Sequence, residues 1–339
     1  MDYAKSNILN MELPLPTTAQ KAWMGLGYGL FIHFGPVTIS GIPWNNRMFK
    51  TTEFTPVKVN VQQWAEVAVE AGMRYAVLTA KHVDGFCLWP SKYTKYSVKN
   101  SPMKLDIVGA FTEEFRKAGL KVGLYYALWD QNFPQYEQDE VYAEYMVNQI
   151  QELLTSYGEI LELWFDGAWD KDYPTPDWPY NPAWENDLKS GLGHGERWRW
   201  KKIYEAVHRL QPNCLVVNNS SSDRPGDIRY HPVDIRTSEH FDFVWQEKIC
   251  EPILDPIFEN EKGEKVYIPL EYCTTLSPDW FWIDRQTIRH PSVATICGWY
   301  RTARKHQANL LLNAGPNKEG VIPEYNCHYL KTTAKELGI

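Results

Sequence analysis

Short apolar runs rich in β-branched and aromatic residues recur along this chain, and stretches of helical period separate most of them. The runs are Tyr28–Phe34, Tyr75–Lys81, Lys121–Leu128, Leu161–Phe165, Cys214–Asn218, Asp234–Ser238, Val266–Leu276 and Ala308–Asn313. Eight strands alternating with helices are the number that closes a parallel barrel. The fold class is therefore α/β, a (β/α)8-like barrel of TIM type, open to distortion. Helical period supports it. Val61–Ala71 puts Trp64, Ala65, Ala68 and Ala71 on one face and stops at Gly72. Ile107–Ala118 does the same with Ile107, Phe111, Phe115 and Ala118, with Asp106 as N-cap and Gly119 as stop. Tyr142–Tyr157, Trp200–Leu210, Ser292–His306 and Glu324–Leu337 are further helices. The crossover after the sixth run is weak, because residues 251–265 are rich in Pro and charge and read as a loop.

No composition break or internal repeat marks a second unit, so residues 1–339 read as one catalytic barrel. The net charge of −7 argues against nucleic acid or an anionic membrane as the main partner. Aromatics reach 14%, with 15 Trp and 20 Tyr, a composition suited to stacking on the C–H faces of a small carbohydrate as well as to core packing. The start, Met1 to Lys5, lacks a basic region followed by an apolar one, and no run approaches a membrane span, which points to a cytoplasmic location. Six cysteines lie scattered without a CxxC pair and read as free, mostly buried thiols.

Polar residues gather at the C-terminal ends of the runs: His33; His82 and Asp84; Tyr126, Trp129 and Asp130; Asp166; Asn218 and Asn219; Glu239 and His240. In a barrel these ends converge on one mouth. One such residue is commonly a turn or cap; the repetition is what points to a site. In Leu161–Gly167, alternation places Glu162, Trp164 and Asp166 on one side. Asp166 is then at the mouth, with Glu162 roughly 13 Å deeper and paired inside the barrel. His33 and His82, with Asp84 and Asp166, are residue types that bind metal or sugar hydroxyls alike. The long segment 168–199 follows the fourth strand and is expected to shape the binding face.

At these residues the sequence resembles glycoside hydrolase family 29, the α-L-fucosidases, from about Trp23 to about Glu324. Gly29-Leu30-Phe31-Ile32-His33-Phe34-Gly35 is similar to the family's G-x-F-I-H-W-G, and Leu78 to Phe86 to its L-T-A-K-H-H-D-G-F. Trp164-Phe165-Asp166-Gly167 resembles W-F-D-G, and Leu310 to Pro316 resembles L-L-L-N-x-G-P. The resemblance implies a retaining exo-glycosidase releasing terminal fucose by double displacement, with no cofactor or metal. Asp166 matches the nucleophile. Glu239, in Asp234 to Glu239, is the first choice for the acid/base and Glu271 the second, with a salt bridge to Arg236 or Arg285 as the bland reading of either. His33, His82 and Tyr126 are expected to bind sugar hydroxyls. Phe31 and Phe281 are expected against the fucose methyl, with Trp280 and Trp282 nearby and Trp44 and Trp129 at the rim.

Departures from the family open alternatives. Val83 stands where a second His is usual. Asn218-Asn219-Ser220 stands where Arg is common, with Arg224 or Arg236 as replacements, and Gln131 stands for Arg in a subgroup. The sequence ends soon after the last barrel helix, so the β-sandwich usual in the family is not expected, and a second copy of the chain, as a homo-oligomer, is a candidate to complete the site. An α-glycosidase for another sugar such as a galactoside, an inactive carbohydrate-binding barrel and, last, a metal-dependent hydrolase are the alternative readings.

Overall fold

The computed structural model describes residues 13–42, 49–167, 198–219, 225–239, 252–260, 262–284 and 290–339. The strands are β1 (Tyr28–Ile32), β2 (Tyr75–Lys81), β3 (Lys121–Ala127), β4 (Glu162–Asp166), β5 (Leu215–Asn218), β6 (Arg236–Glu239), β7 (Ile257–Glu259), β8 (Lys265–Tyr267), β9 (Leu270–Thr275) and β10 (Asn309–Asn313). Eight of them form one sheet in the order β5-β4-β3-β2-β1-β10-β9-β6. Every pairing in it is parallel. The two edges of the sheet meet: Val217 bridges to Ile235, and the Asp234 and Ile235 N–H groups both donate to Val216 O. The barrel therefore closes, at its thinnest junction, between β5 and β6.

Helices separate the strands as the period predicts, at Val61–Glu70, Ile107–Lys117, Asp139–Ser156, Trp200–Leu210, Val293–Lys305 and Glu324–Leu337. Asp106 is the N-cap of the second, its Oδ1 accepting the Gly109 N–H at 2.8 Å. The run Val266–Leu276 does not form one strand. Pro269 has no N–H to give a ladder, and the run divides there. Lys265–Tyr267 pairs antiparallel with Ile257–Glu259 as a small ribbon, and only Leu270–Thr275 enters the barrel. Part of the expected loop at residues 251–265 is therefore a strand.

The N-terminal helix, Thr18–Met24, closes the floor of the barrel. Thr17 and Gln20 form its capping box. Gln20 Nε2 then donates to Asp234 O and Tyr267 O, tying the helix to the β5–β6 junction and to β8. Trp23 Nε1 donates to Glu162 Oε2 at 2.6 Å. Large inward side chains at this level need small partners. A Cβ on Gly29 would stand 2.5 Å from the Tyr75 ring, and one on Gly123 would stand 2.8 Å from Glu162 Cγ. These two glycines let an aromatic ring and a carboxylate fill the lower barrel.

Candidate active site

The C-terminal ends of the strands bring the polar residues together. Asp166 ends β4, and register sets Ala127 beside it on β3. Tyr125 lies two residues below Ala127, on the same face, and its hydroxyl donates to Asp166 Oδ2 at 2.9 Å. Asn219 follows β5, and its Nδ2 donates both to Asp166 Oδ1 at 3.1 Å and to Glu239 Oε2 at 2.9 Å. Two oxygens that share one nitrogen at these distances lie within about 6 Å of each other, which admits the roughly 5–5.5 Å of a retaining glycosidase pair. Burial holds the Asp166 carboxyl above its ordinary range, and the charge of Glu239 adds to this. Hydrogen bonds from Gly167 N, Tyr125 and Asn219 pull the other way by stabilising the carboxylate.

His33 sits just past β1. Its Nδ1 is 2.8 Å from Asn313 Oδ1, while Asn313 Nδ2 donates to Thr275 Oγ1 and Trp280 O. Those two acceptors fix the amide orientation, so the His33 Nδ1 carries the hydrogen and Nε2 keeps a lone pair. Burial lowers the His33 pKa to about 3, against the opposing Asn313 hydrogen bond and Glu239 charge. The ring is neutral at working pH and can accept a hydrogen from a hydroxyl. His82 lies 6.0 Å away, ring to ring, stacked over Tyr125, and burial first and His33 second keep it neutral too.

An aromatic wall backs these groups. Phe281 meets the His33 and His82 rings edge-on at 5.3 and 4.9 Å. Phe31 packs beneath His33 at 4.5 Å and reaches Trp164 and Trp280. Such pairs contribute about 0.5–1.5 kcal/mol each beyond their area and hold the imidazoles in place.

Titration of His33 yields a sign that can be tested. The folded chain keeps His33 neutral down to about pH 3, whereas the unfolded chain protonates it below 6.5. Its contribution to stability is complete above pH 6.5 and is lost as pH falls toward 3, by at most about 1.4 kcal/mol per pH unit. His33→Gln removes that dependence. Urea midpoints taken from pH 6.5 to 4 are expected to fall less steeply for the variant; parallel slopes would refute the burial argument.

Several expected residues lie elsewhere. Tyr126 points out of the barrel: its hydroxyl donates to Gln149 at 2.7 Å, and Lys81 Nζ stands 4.2 Å from its ring centroid. The alternation that aims Tyr126 outward aims Tyr125 inward, and it is the Tyr125 hydroxyl that meets Asp166. Glu271 is fully buried one layer down, accepting from Tyr75 Oη at 2.6 Å and Trp164 Nε1 at 2.8 Å. On β9 it is Cys273, two residues above Glu271, that pairs with Glu239. Glu271 therefore serves as a floor carboxylate beside Glu162, and burial raises both, Glu162 further through the charge of Glu271. Trp282 Nε1 donates to Tyr325 Oη on the last helix, and it is Trp280 that meets His33. Trp129 is 4% exposed, a buried residue instead of a rim one. Arg236 is occupied by the carbonyls of Gly226, Ile253, Leu254 and Ile268. Asp84 accepts from Phe86 N in its own turn. Trp44, Ser220, Arg224, His240, Arg285 and residues 168–197 fall outside the described residues. Among the described residues, no group of three or more His, Cys, Asp or Glu is arranged to hold a metal, and no helix is long and apolar enough to cross a membrane.

Comparison with known proteins turns this geometry into a family. The profile of the family described as Alpha-L-fucosidase matches residues 46–338. The chain belongs to the α-L-fucosidase family. Among its relatives, Alpha-L-fucosidase 1 of Arabidopsis thaliana is 30% identical over 329 residues, covering 94% of this chain and 59% of that protein. Tissue alpha-L-fucosidase of Rattus norvegicus is 30% identical over 286 residues, 80% of this chain and 52% of that one. The chain thus spans little more than half the length of these curated α-L-fucosidases. A glycoside hydrolase 29 family member from an unknown rumen bacterium has a similar structure, with TM-score 0.76, 31% identity, and 96% and 57% of the two chains covered. Alpha-L-fucosidase isoenzyme 1 from Paenibacillus thiaminolyticus gives TM-score 0.71 at 28% identity, over 95% and 75%.

Proposed function

We propose that this barrel hydrolyses terminal α-L-fucosides with retention of configuration, with Asp166 as nucleophile and Glu239 as acid/base. The observation that supports the reading best is the single amide nitrogen shared by the two carboxylates. Two carboxyl groups this close hold one negative charge more readily than two, the state the first step needs. An Asp166 oxygen forms a bond to the anomeric carbon as the glycosidic C–O bond breaks, and the Glu239 proton goes to the leaving oxygen. Glu239, now a carboxylate, takes a proton from water. That water attacks the anomeric carbon and releases Asp166, so two inversions give net retention.

The surrounding groups suit a deoxy sugar. Neutral His33 accepts from a hydroxyl through Nε2, and Phe281 and Phe31 offer apolar surface for a methyl group. Burying a methyl contributes only about 0.8 kcal/mol, so the methyl by itself discriminates weakly. Val83 is 2% exposed and offers no hydrogen bond through its side chain. A panel of 4-nitrophenyl glycosides tests the reading. The α-L-fucoside is expected to be cleaved at least about tenfold faster, by kcat/KM, than the α-L-galactoside, which has the same ring configuration with a hydroxymethyl in place of the methyl. Preference for the galactoside would reassign the sugar, and turnover of neither would favour a binding barrel.

A further inference from the structure

We propose that Asn219 is a positioning residue that sets the separation of Asp166 and Glu239, and that the Thr237 hydroxyl locks its amide for that task. The inference rests on reading the two carboxylates as nucleophile and acid/base. Asn219 is stapled to both strands that carry them. Its main-chain N–H donates to Phe165 O, the residue before Asp166. Its side-chain Oδ1 accepts from Thr237 Oγ1 at 2.6 Å, and Thr237 lies two residues before Glu239, on the same face of β6. Asn219 therefore crosses the β5–β6 junction, where, among the described residues, the main-chain link is one bridge and two hydrogen bonds to Val216 O.

The amide has one useful orientation. With the Thr237 hydrogen on Oδ1, Nδ2 faces both carboxylates; turned over, Oδ1 would oppose two carboxylate oxygens. The two N–H bonds of a primary amide diverge by about 120°, so two acceptors at these distances stand roughly 5 Å apart, within the span a retaining pair requires. The same donor selects atoms. On Glu239 it is Oε2 that accepts from Asn219. Asp166 is held at both oxygens, by Tyr125 and by Asn219.

Thr237→Val keeps the shape of the side chain and removes the lock. Its kcat on an aryl α-L-fucoside is expected to fall about tenfold with KM within about twofold, because substrate contacts are untouched and the pair is misaligned. The alkaline limb of its kcat/KM–pH profile is expected to move, and Thr237→Ser is expected to restore both. Asn219→Gln keeps the NH2 group but displaces it by a methylene, and a shift of about 1 Å is expected to cost about a hundredfold in kcat. If Thr237→Val does not fold, as read by its melting transition, Asn219→Gln carries the same comparison. Wild-type kcat and an unmoved pH profile in the folded variants would overturn the inference. Asp166→Ala is assayed alongside. If it is inactive while the Asn219 and Thr237 variants match wild type, the positioning role alone is lost. If it is fully active, the reading of the pair falls as well.

Discussion

Asp166→Ala is expected to lower kcat on 4-nitrophenyl α-L-fucoside by about four orders of magnitude, about 5.5 kcal/mol of barrier. The loss has two sources. The covalent intermediate can no longer form, and the developing positive charge at the anomeric carbon loses its counter-charge. Binding is expected to survive, because His33, His82 and the aromatic wall are held by their own partners: Asn313 for His33, Tyr125 stacking for His82. A KM or inhibitor Kd within a few-fold of wild type, beside a collapsed kcat, marks loss of transition-state stabilisation and not of the fold. A variant that keeps more than about a tenth of wild-type kcat would remove Asp166 from the chemistry.

Glu239→Gln is expected to behave differently, and the leaving group reveals it. A glutamine cannot give up a proton. On substrates with an alkyl or sugar leaving group, kcat/KM should fall by about a hundredfold to ten-thousandfold. On a 2,4-dinitrophenyl fucoside, whose leaving oxygen needs no proton, the first step should persist and the covalent intermediate should accumulate, because no base activates water. Azide needs no base, so it should accelerate turnover of that intermediate and yield the α-fucosyl azide. Glu271→Gln is the companion measurement. It should show no such dependence on leaving group, since Glu271 is fully buried and occupied by Tyr75 and Trp164. Leaving-group dependence in Glu271→Gln, with none in Glu239→Gln, would exchange the two roles.

The architecture was legible because period is a strong signal when repeated eight times. Asp166 and Glu239 were legible as strand-end carboxylates, and the family motif W-F-D-G pointed to the first. The errors came where face and depth mattered more than position along the chain. The resemblance nominates Tyr126, whereas alternation from Asp166, through the β3–β4 register Ala127↔Asp166, selects Tyr125. Glu271 is the second choice for the acid/base through the resemblance. Only the register of β9 against β6 and β10 reveals that it sits a layer below the mouth. Trp282 and Trp280 are two apart in a segment without regular structure, where sequence carries no periodic rule for direction. In the sequence Asn219 reads as one strand-end polar residue among several and as a departure from the arginine common in the family. That its nitrogen joins two carboxylates depends on the closing of β5 on β6, a contact between strands that no local pattern encodes. The resemblance does nominate Phe31 and Phe281 together, far apart in sequence as they are, and both meet His33.

The chemistry of azide in Asp166→Ala addresses the central claim most directly. With the nucleophile removed and a cavity in its place, azide can attack the anomeric carbon of an activated α-fucoside from the face that Asp166 occupies. One displacement inverts the centre, so the product predicted by NMR is β-L-fucosyl azide, formed at a rate that rises with azide concentration. Absence of any rescue together with retained hydrolysis, or an α-fucosyl azide from this variant, would contradict the assignment of Asp166 as the nucleophile of a retaining fucosidase.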